Sequence, residues 1–294
     1  MLRLACAMLA LSPWATSAAR ADDTPAAAPA PPPDKSVYTL FNPTPDGLLR
    51  SFCADRPTKS TGACTVDAGH WQIETDLYNV TTQTTAGVTT VTQLFTNPTL
   101  KLGLTNTWDI EVNISPYEEV TTHDSLTGKT VTAEGVGDFY LRTKLNLVGD
   151  DGGNLAVAIE PFVKAPTAAN GVGNGAVEGG VLAPIAINLP LNWQLSLDPE
   201  LDVLADAQGP GHHLNAISLV SFGYPVTKEV TVFVEGWGDL NFDPVGTVFQ
   251  SSFDLAAAWI PAKAPNVQLD GGVNLGLNRA TPGVQGYVGI SHRF

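Results

Sequence analysis

"WQLSLDPELDV", residues 193–203, decides how the rest of the chain is read. Trp193, Leu195, Leu197, Leu201 and Val203 share one parity with Pro199, while Gln194, Ser196, Asp198, Glu200 and Asp202 share the other. Successive side chains of a strand point to opposite faces, so this stretch predicts a strand with one apolar and one acidic face. A tilted strand needs roughly 9–11 residues to cross a bilayer, whereas the mean strand of a soluble domain has about 5–6. The alternation here fills the longer length.

Similar segments recur at about 71–81, 91–104, 108–115, 138–147, 155–164, 177–189, 214–224, 230–237, 249–259, 267–277 and 284–294, which with the quoted one makes about twelve. The connections at 105–107, 149–153, 190–192, 227–229 and 261–266 are short. Those at about 116–137, 165–176, 204–213 and 238–248 are longer, while 82–87 and 279–283 are brief. Short and long ends alternate as they do in outer-membrane barrels. The expected fold is therefore all-β: a closed antiparallel transmembrane β-barrel of about 12 strands with short periplasmic turns and both termini on the periplasmic side. Pro184 and Pro199 remove ladder donors and each is expected to mark a bulge.

Aromatic placement supports the same orientation. Trp71, Trp108 and Trp193 open strands, Trp259 closes one and Phe294 ends the last, all with apolar parity and all at the inferred periplasmic end. Amphipathic rings prefer the headgroup level, so these five predict an aromatic belt against outer-membrane lipid. The final strand, ending in Phe294, is also the segment expected to engage the barrel-assembly machinery.

Composition excludes other classes. With 29 acidic against 15 basic residues there is no basic patch for nucleic acid. The first residues, 1–21, have Arg3, an apolar stretch and an Ala19-Arg20-Ala21 cleavage site, which predicts a secretory signal peptide. Removing Arg3 and Arg20 takes the formal charge from −14 to −16. Residues 22–36, Pro/Ala-rich, read as a linker. Residues 37–69 read as an irregular periplasmic segment with one helical turn around 47–52. Export leaves Cys53 and Cys64 as the pair in an oxidising compartment, where a structural disulfide is expected. Closing that short loop contributes on the order of 3 kcal/mol by the chain-entropy account.

"NPTPDGLLRSFCADRPTKSTGACTVDAGHWQIETDLYNV", residues 42–80, resembles the head of a bacterial outer-membrane family of transporters tied to the meta-pathway of phenol degradation. Asp55-Arg56-Pro57 and Asp67-Ala68-Gly69-His70 are its most specific motifs, and the resemblance runs from Asn42 to Phe294. It implies a β-barrel and a transport role. Cys53 and Cys64 depart from the family pattern and read as a local elaboration.

Parity also predicts the lumen. Inward acids are Glu74, Asp76, Asp109, Glu111, Asp138, Glu160, Asp198, Glu200, Asp202, Glu235, Asp254 and Asp270; inward bases are Lys101, Arg142, Lys144, Lys164 and Arg293. A negative, partly wetted lumen favours small neutral, aromatic or cationic solutes over anions. Tyr78, Tyr140 and Trp237 share the inward parity and are placed along that path, where they could stack on rings. No cofactor is expected, and the histidines offer no metal spacing. Two rival classes remain: a ligand-binding β-barrel without transport, and a lipid hydrolase using His123 with Ser125, or His292 with Ser291. If 149–153 is a tight turn, Arg142 should lie directly opposite Glu160, with Lys144 competing for the same carboxylate.

Overall fold

The computed structural model describes residues 34–294; the expected signal peptide and the linker as far as residue 33 lie outside the described residues. Seventeen extended segments follow one another: β1 (Trp71–Thr85), β2 (Val88–Leu94), β3 (Thr99–Thr105), β4 (Trp108–Ile114), β5 (Glu118–Asp124), β6 (Thr130–Gly135), β7 (Phe139–Val148), β8 (Leu155–Ala165) and β9 (Glu178–Leu182). Then come β10 (Ile185–Asn188), β11 (Gln194–Leu197), β12 (Glu200–Ala205), β13 (His212–Pro225), β14 (Val230–Asn241), β15 (Val248–Trp259), β16 (Val267–Gly276) and β17 (Val284–Arg293). The pairs β2/β3, β4/β5, β6/β7, β9/β10 and β11/β12 are halves of single interrupted crossings, so the wall has twelve antiparallel strands. β17 pairs with β1 from Arg293 opposite Gln72 to Val284 opposite Thr82, which closes the barrel.

Four of the five interruptions have a chemical cause. Pro98, Pro116, Pro184 and Pro199 each fall in one of the gaps, where the missing N–H leaves the ladder without a donor. The quoted stretch is accordingly broken at Asp198-Pro199, although its two faces keep their sides. The long outer loop expected at 116–137 is instead a hairpin, because β5 and β6 pair from Glu118 opposite Gly135 to His123 opposite Thr130. At 82–87 only Ala86 and Gly87 form the turn, both with positive φ as a tight two-residue hairpin requires.

Burial is inverted relative to a soluble domain. Leu201, Val203, Leu214 and Val288 stand about half exposed on the outer face, whereas Glu111, Lys144, Glu160 and Glu235 are among the most deeply enclosed side chains. Water outside would penalise such a surface; a hydrocarbon phase would not.

The register of β7 and β8 differs from expectation. Arg142 lies opposite Phe162 and Leu145 opposite Ile159, with an irregularity between Asn146 and Val148. The extra residue and the Gly-rich turn move the pairing by two positions. Two residues preserve the faces.

The segment at 37–69 corrects the sequence reading most. It carries a single 3-10 turn, Asp46–Leu48, and it does not stay ahead of the barrel. Its chain enters the lumen and contacts the inner wall on several sides. Lys35, at the end of the region read as linker, is buried against Asp67 and Asp151.

Candidate functional site

The inner wall is built by strand alternation, and the plug fills its centre. Cys53 and Cys64 are disulfide-bonded with Cα atoms 6.6 Å apart, closing a loop whose tip is Asp55–Thr61. Three arms fix that tip.

The first arm is Asp55. It pairs with Lys101 of β3, and Lys144 Nζ of β7 lies 2.8 Å from Asp55 Oδ2. Lys101 also meets Glu74 at 2.7 Å, while Lys144 meets Glu111 at 3.4 Å and Glu160 at 3.3 Å. Asp55, Glu111 and Glu160 converge closely enough to hold a metal ion, but the Lys144 ammonium already sits among them. Burial would raise the Asp55 carboxyl; Lys101 and Lys144 outweigh it and hold the group far below the usual carboxylate range. Asp55 Oδ1 further accepts the Gly62 N–H at 2.7 Å, tying the loop to itself.

The second arm is Arg56, which reaches Asp76 of β1 at 2.5 Å and Asp270 of β16 at 2.7 Å. Gly289 makes room for it: a Cβ there would fall 2.2 Å from Arg56 Nη2. The third arm is mostly backbone. Glu235 accepts the N–H groups of Lys59 and Ser60 at 3.1 and 3.3 Å, and Asp198 accepts that of Thr61 at 2.5 Å. Lys59 Nζ lies 3.0 Å from Asp254 and 4.5 Å from the Trp237 ring centroid. Irregular backbone enclosed in a lumen must find acceptors, and the wall carboxylates supply them.

The structure thus places Glu74, Asp76, Glu111, Lys144 and Glu160 inside and against the plug. Asp198, Trp237 and Asp254 face it from the opposite wall, and Asp270 of β16 shares Arg56 with Asp76. Tyr140, Arg142, Glu200 and Asp202 line a cavity beyond the tip. Tyr78 is a correction. A bulge between Asp76 and Tyr78 puts it opposite Val288 on the outer face, where its ring stacks near Phe95 at 5.4 Å. Asn79 takes the inward place. Trp71, Trp108, Trp193, Trp259 and Phe294 are all 40% or more exposed on the outer face.

Arg142 and Glu160 do meet, with Nε 3.8 Å from Oε1, although Lys144 holds Glu160 more closely. The hydrolase pairings are not made. Ser125 Oγ donates to Gly87 O and His123 Nδ1 faces Thr130, while Ser291 is enclosed and His292 stacks outside on Phe294. What sequence reasoning missed is the plug's basic set: Lys35, Arg50, Arg56 and Lys59. For Arg56 and Lys59 the twelve inward acids against five bases were the available signal, since enclosed carboxylates need partners from somewhere; Lys35 and Arg50 pair instead with Asp67, Asp150 and Asp151.

The tip divides the lumen. A cavity of about 800 Å³ on the side of the short turns touches Cys53, Cys64, Asp150 and Lys228, and one of about 470 Å³ on the far side touches Glu74, Tyr140 and Glu200.

A closed barrel with an apolar exterior and a charged interior is the architecture of an outer-membrane β-barrel. The chain belongs to the family described as "Putative MetA-pathway of phenol degradation", whose pattern matches residues 54–294. An outer membrane channel from Pseudomonas putida F1 has the same fold, with TM-score 0.63, 14% identity, and coverage of 81% of this chain and 99% of that one. The NanC porin gives TM-score 0.48, 8% identity and coverage of 76% and 98%. The translocator domain of the autotransporter NalP from Neisseria meningitidis gives 0.47, 12%, 76% and 88%. No curated protein sequence matches the chain.

Proposed function

We propose that the protein conducts small neutral, aromatic or cationic solutes across the outer membrane through an acidic lumen whose bore is set by the disulfide-closed plug. The observation that carries this reading is the wall from β12 to β15. Among the described residues Asp198, Glu200, Asp202, Glu235 and Asp239 form no ion pair, and Lys59 reaches this wall through Asp254. Uncompensated carboxylates facing a wetted path concentrate cations and repel anions. The family's description adds an aromatic-degradation context, which favours small ring-bearing solutes. Single-channel recording in planar bilayers under a KCl gradient tests it. A reversal potential of the cation-selective sign is expected; an anion-selective current, or no current at all, would overturn the reading.

A further inference from the structure

The cavity beyond the plug tip contains an arrangement that plugging does not use. Arg142 lies opposite Phe162, Phe162 opposite Gly180, and Gly180 opposite Asp202, so four neighbouring strands carry in one row a cation, a ring, a gap and an anion. With strands ~4.8 Å apart, the row's end Cα atoms are roughly 14 Å apart along the wall, and side chains converging inside a closed barrel narrow that span.

Neither end of the row is fully satisfied. Among the described residues the Arg142 guanidinium donates no hydrogen bond, its carboxylate neighbour Glu160 standing 3.8 Å away. Arg50, Arg56 and Arg293 each donate several. Arg142 instead lies 4.9 Å from the Tyr140 ring centroid and 5.9 Å from that of Phe162. At the other end Asp202 is 4% exposed and its Oδ1 has no partner, while Oδ2 accepts from Asn215 at 3.3 Å. Glu200, on the same face of β12, stands within hydrogen-bonding reach of Asp202 and forms no ion pair among the described residues. Gly180 is required where it stands, because a Cβ would fall 2.0 Å from Asp202 Oδ1 and 2.8 Å from Phe162 Cε1. The missing side chain lets the carboxylate lean beside the ring.

Unmet donors, an aromatic platform and unmet acceptors in that order match one ligand chemistry. We propose that this cavity binds an aromatic zwitterion: its carboxylate on the Arg142 fork, its ring against Tyr140 and Phe162, and its ammonium between Asp202 and Glu200. The inference rests on the channel reading above and names a solute class for it. A simple cation would leave Arg142 and the rings unused; a simple carboxylate would leave the two acids facing each other. The volume of about 470 Å³ suits a single-ring solute.

Calorimetry on the full-length protein in detergent tests this with 4-(aminomethyl)benzoate, and with benzylammonium and 4-methylbenzoate as probes that each lack one charge. The zwitterion should bind at least about tenfold more tightly than either control. Arg142→Gln should erase its advantage over benzylammonium; Asp202→Asn should erase its advantage over 4-methylbenzoate. Heat-modifiable migration on gels reports whether each variant folds, and if Arg142→Gln does not, the neutral Arg142→Met is read in the same way beside the wild-type comparison. Equal binding of the three probes, or no binding of the zwitterion, overturns the proposal. Such a result beside a normal cation-selective current removes this site alone, whereas zwitterion binding without any current removes the channel reading alone.

Discussion

On the wall formed by β3, β4, β7 and β8, cations of the barrel receive a carboxylate of the plug: Lys101 and Lys144 close on Asp55. On the wall from β12 to β15 the roles are reversed, and carboxylates of the barrel receive the plug's backbone N–H groups and Lys59. The difference is one of saturation. The first wall is a closed network in which every buried ammonium has more than one carboxylate, so its charges are spent on structure. The second retains Glu200, Asp202 and Asp239, which form no ion pair among the described residues.

The saturated wall should be the harder to disturb without consequence. Asp55→Asn removes the anion shared by two lysines, each no more than 3% exposed. Breaking a buried pair in this way costs about 3–5 kcal/mol, because the partner charge stays enclosed. Thermal unfolding in detergent should show a large loss, and bilayer recordings should show openings of higher conductance as the tip comes free. A variant with unchanged melting and unchanged conductance would mean that Asp55 does not anchor the plug.

The disulfide sharpens the comparison from the side of the loop itself. With Cys53 and Cys64 eleven positions apart, the bridge limits the unfolded loop, and Cys53→Ser with Cys64→Ser should cost about 3 kcal/mol of tip order. All three arms should weaken together, since all belong to the stapled loop. A free-thiol assay on unfolded, unreduced wild-type protein should find none; two labelled thiols would refute the pairing.

Those arms also mark where the sequence could be read and where it could not. Strand positions were legible because lipid on one side and a charged lumen on the other force a strict alternation, as in Leu201 and Val203 against Asp202. Tyr78 was misplaced because a bulge is a backbone event that parity cannot foresee, and the register of β7 and β8 moved for the same reason. The plug was hidden for a different cause. Nothing local in Asp55-Arg56-Pro57 says whether its charges face water or a wall; only the excess of inward carboxylates, which takes Arg56 and Lys59 as partners, pointed to it.

Acidity separates the two walls by titration. The folded Asp55 carboxyl is held below its ordinary value of 3.8, so its contribution is complete above that value and is lost only as pH falls through the lower, folded one. The melting difference between wild type and Asp55→Asn should therefore stay flat from pH 8 to about 4 and shrink below it. A difference that fades between pH 7 and 5 would contradict the assignment of Lys101 and Lys144 as the groups that hold this carboxylate ionised.

The smallest effect belongs to the acidic wall. Glu235 accepts two backbone N–H groups, from Lys59 and Ser60, through its two oxygens. In Glu235→Gln one oxygen remains an acceptor and an NH2 replaces the other, so one plug N–H loses its partner at a cost of about 1–2 kcal/mol. Asp198 and Asp254 still hold Thr61 and Lys59, so the tip should stay docked and the single-channel conductance should change little. Cation selectivity should fall, because a charge has left the wall that carries the surplus. Combined with Asp55→Asn, the loss should exceed the sum of the two single losses if both walls hold one rigid tip, since either wall alone can then retain it. Simple additivity would instead show that the two flanks of the loop move independently, and that the plug is two contacts rather than one body.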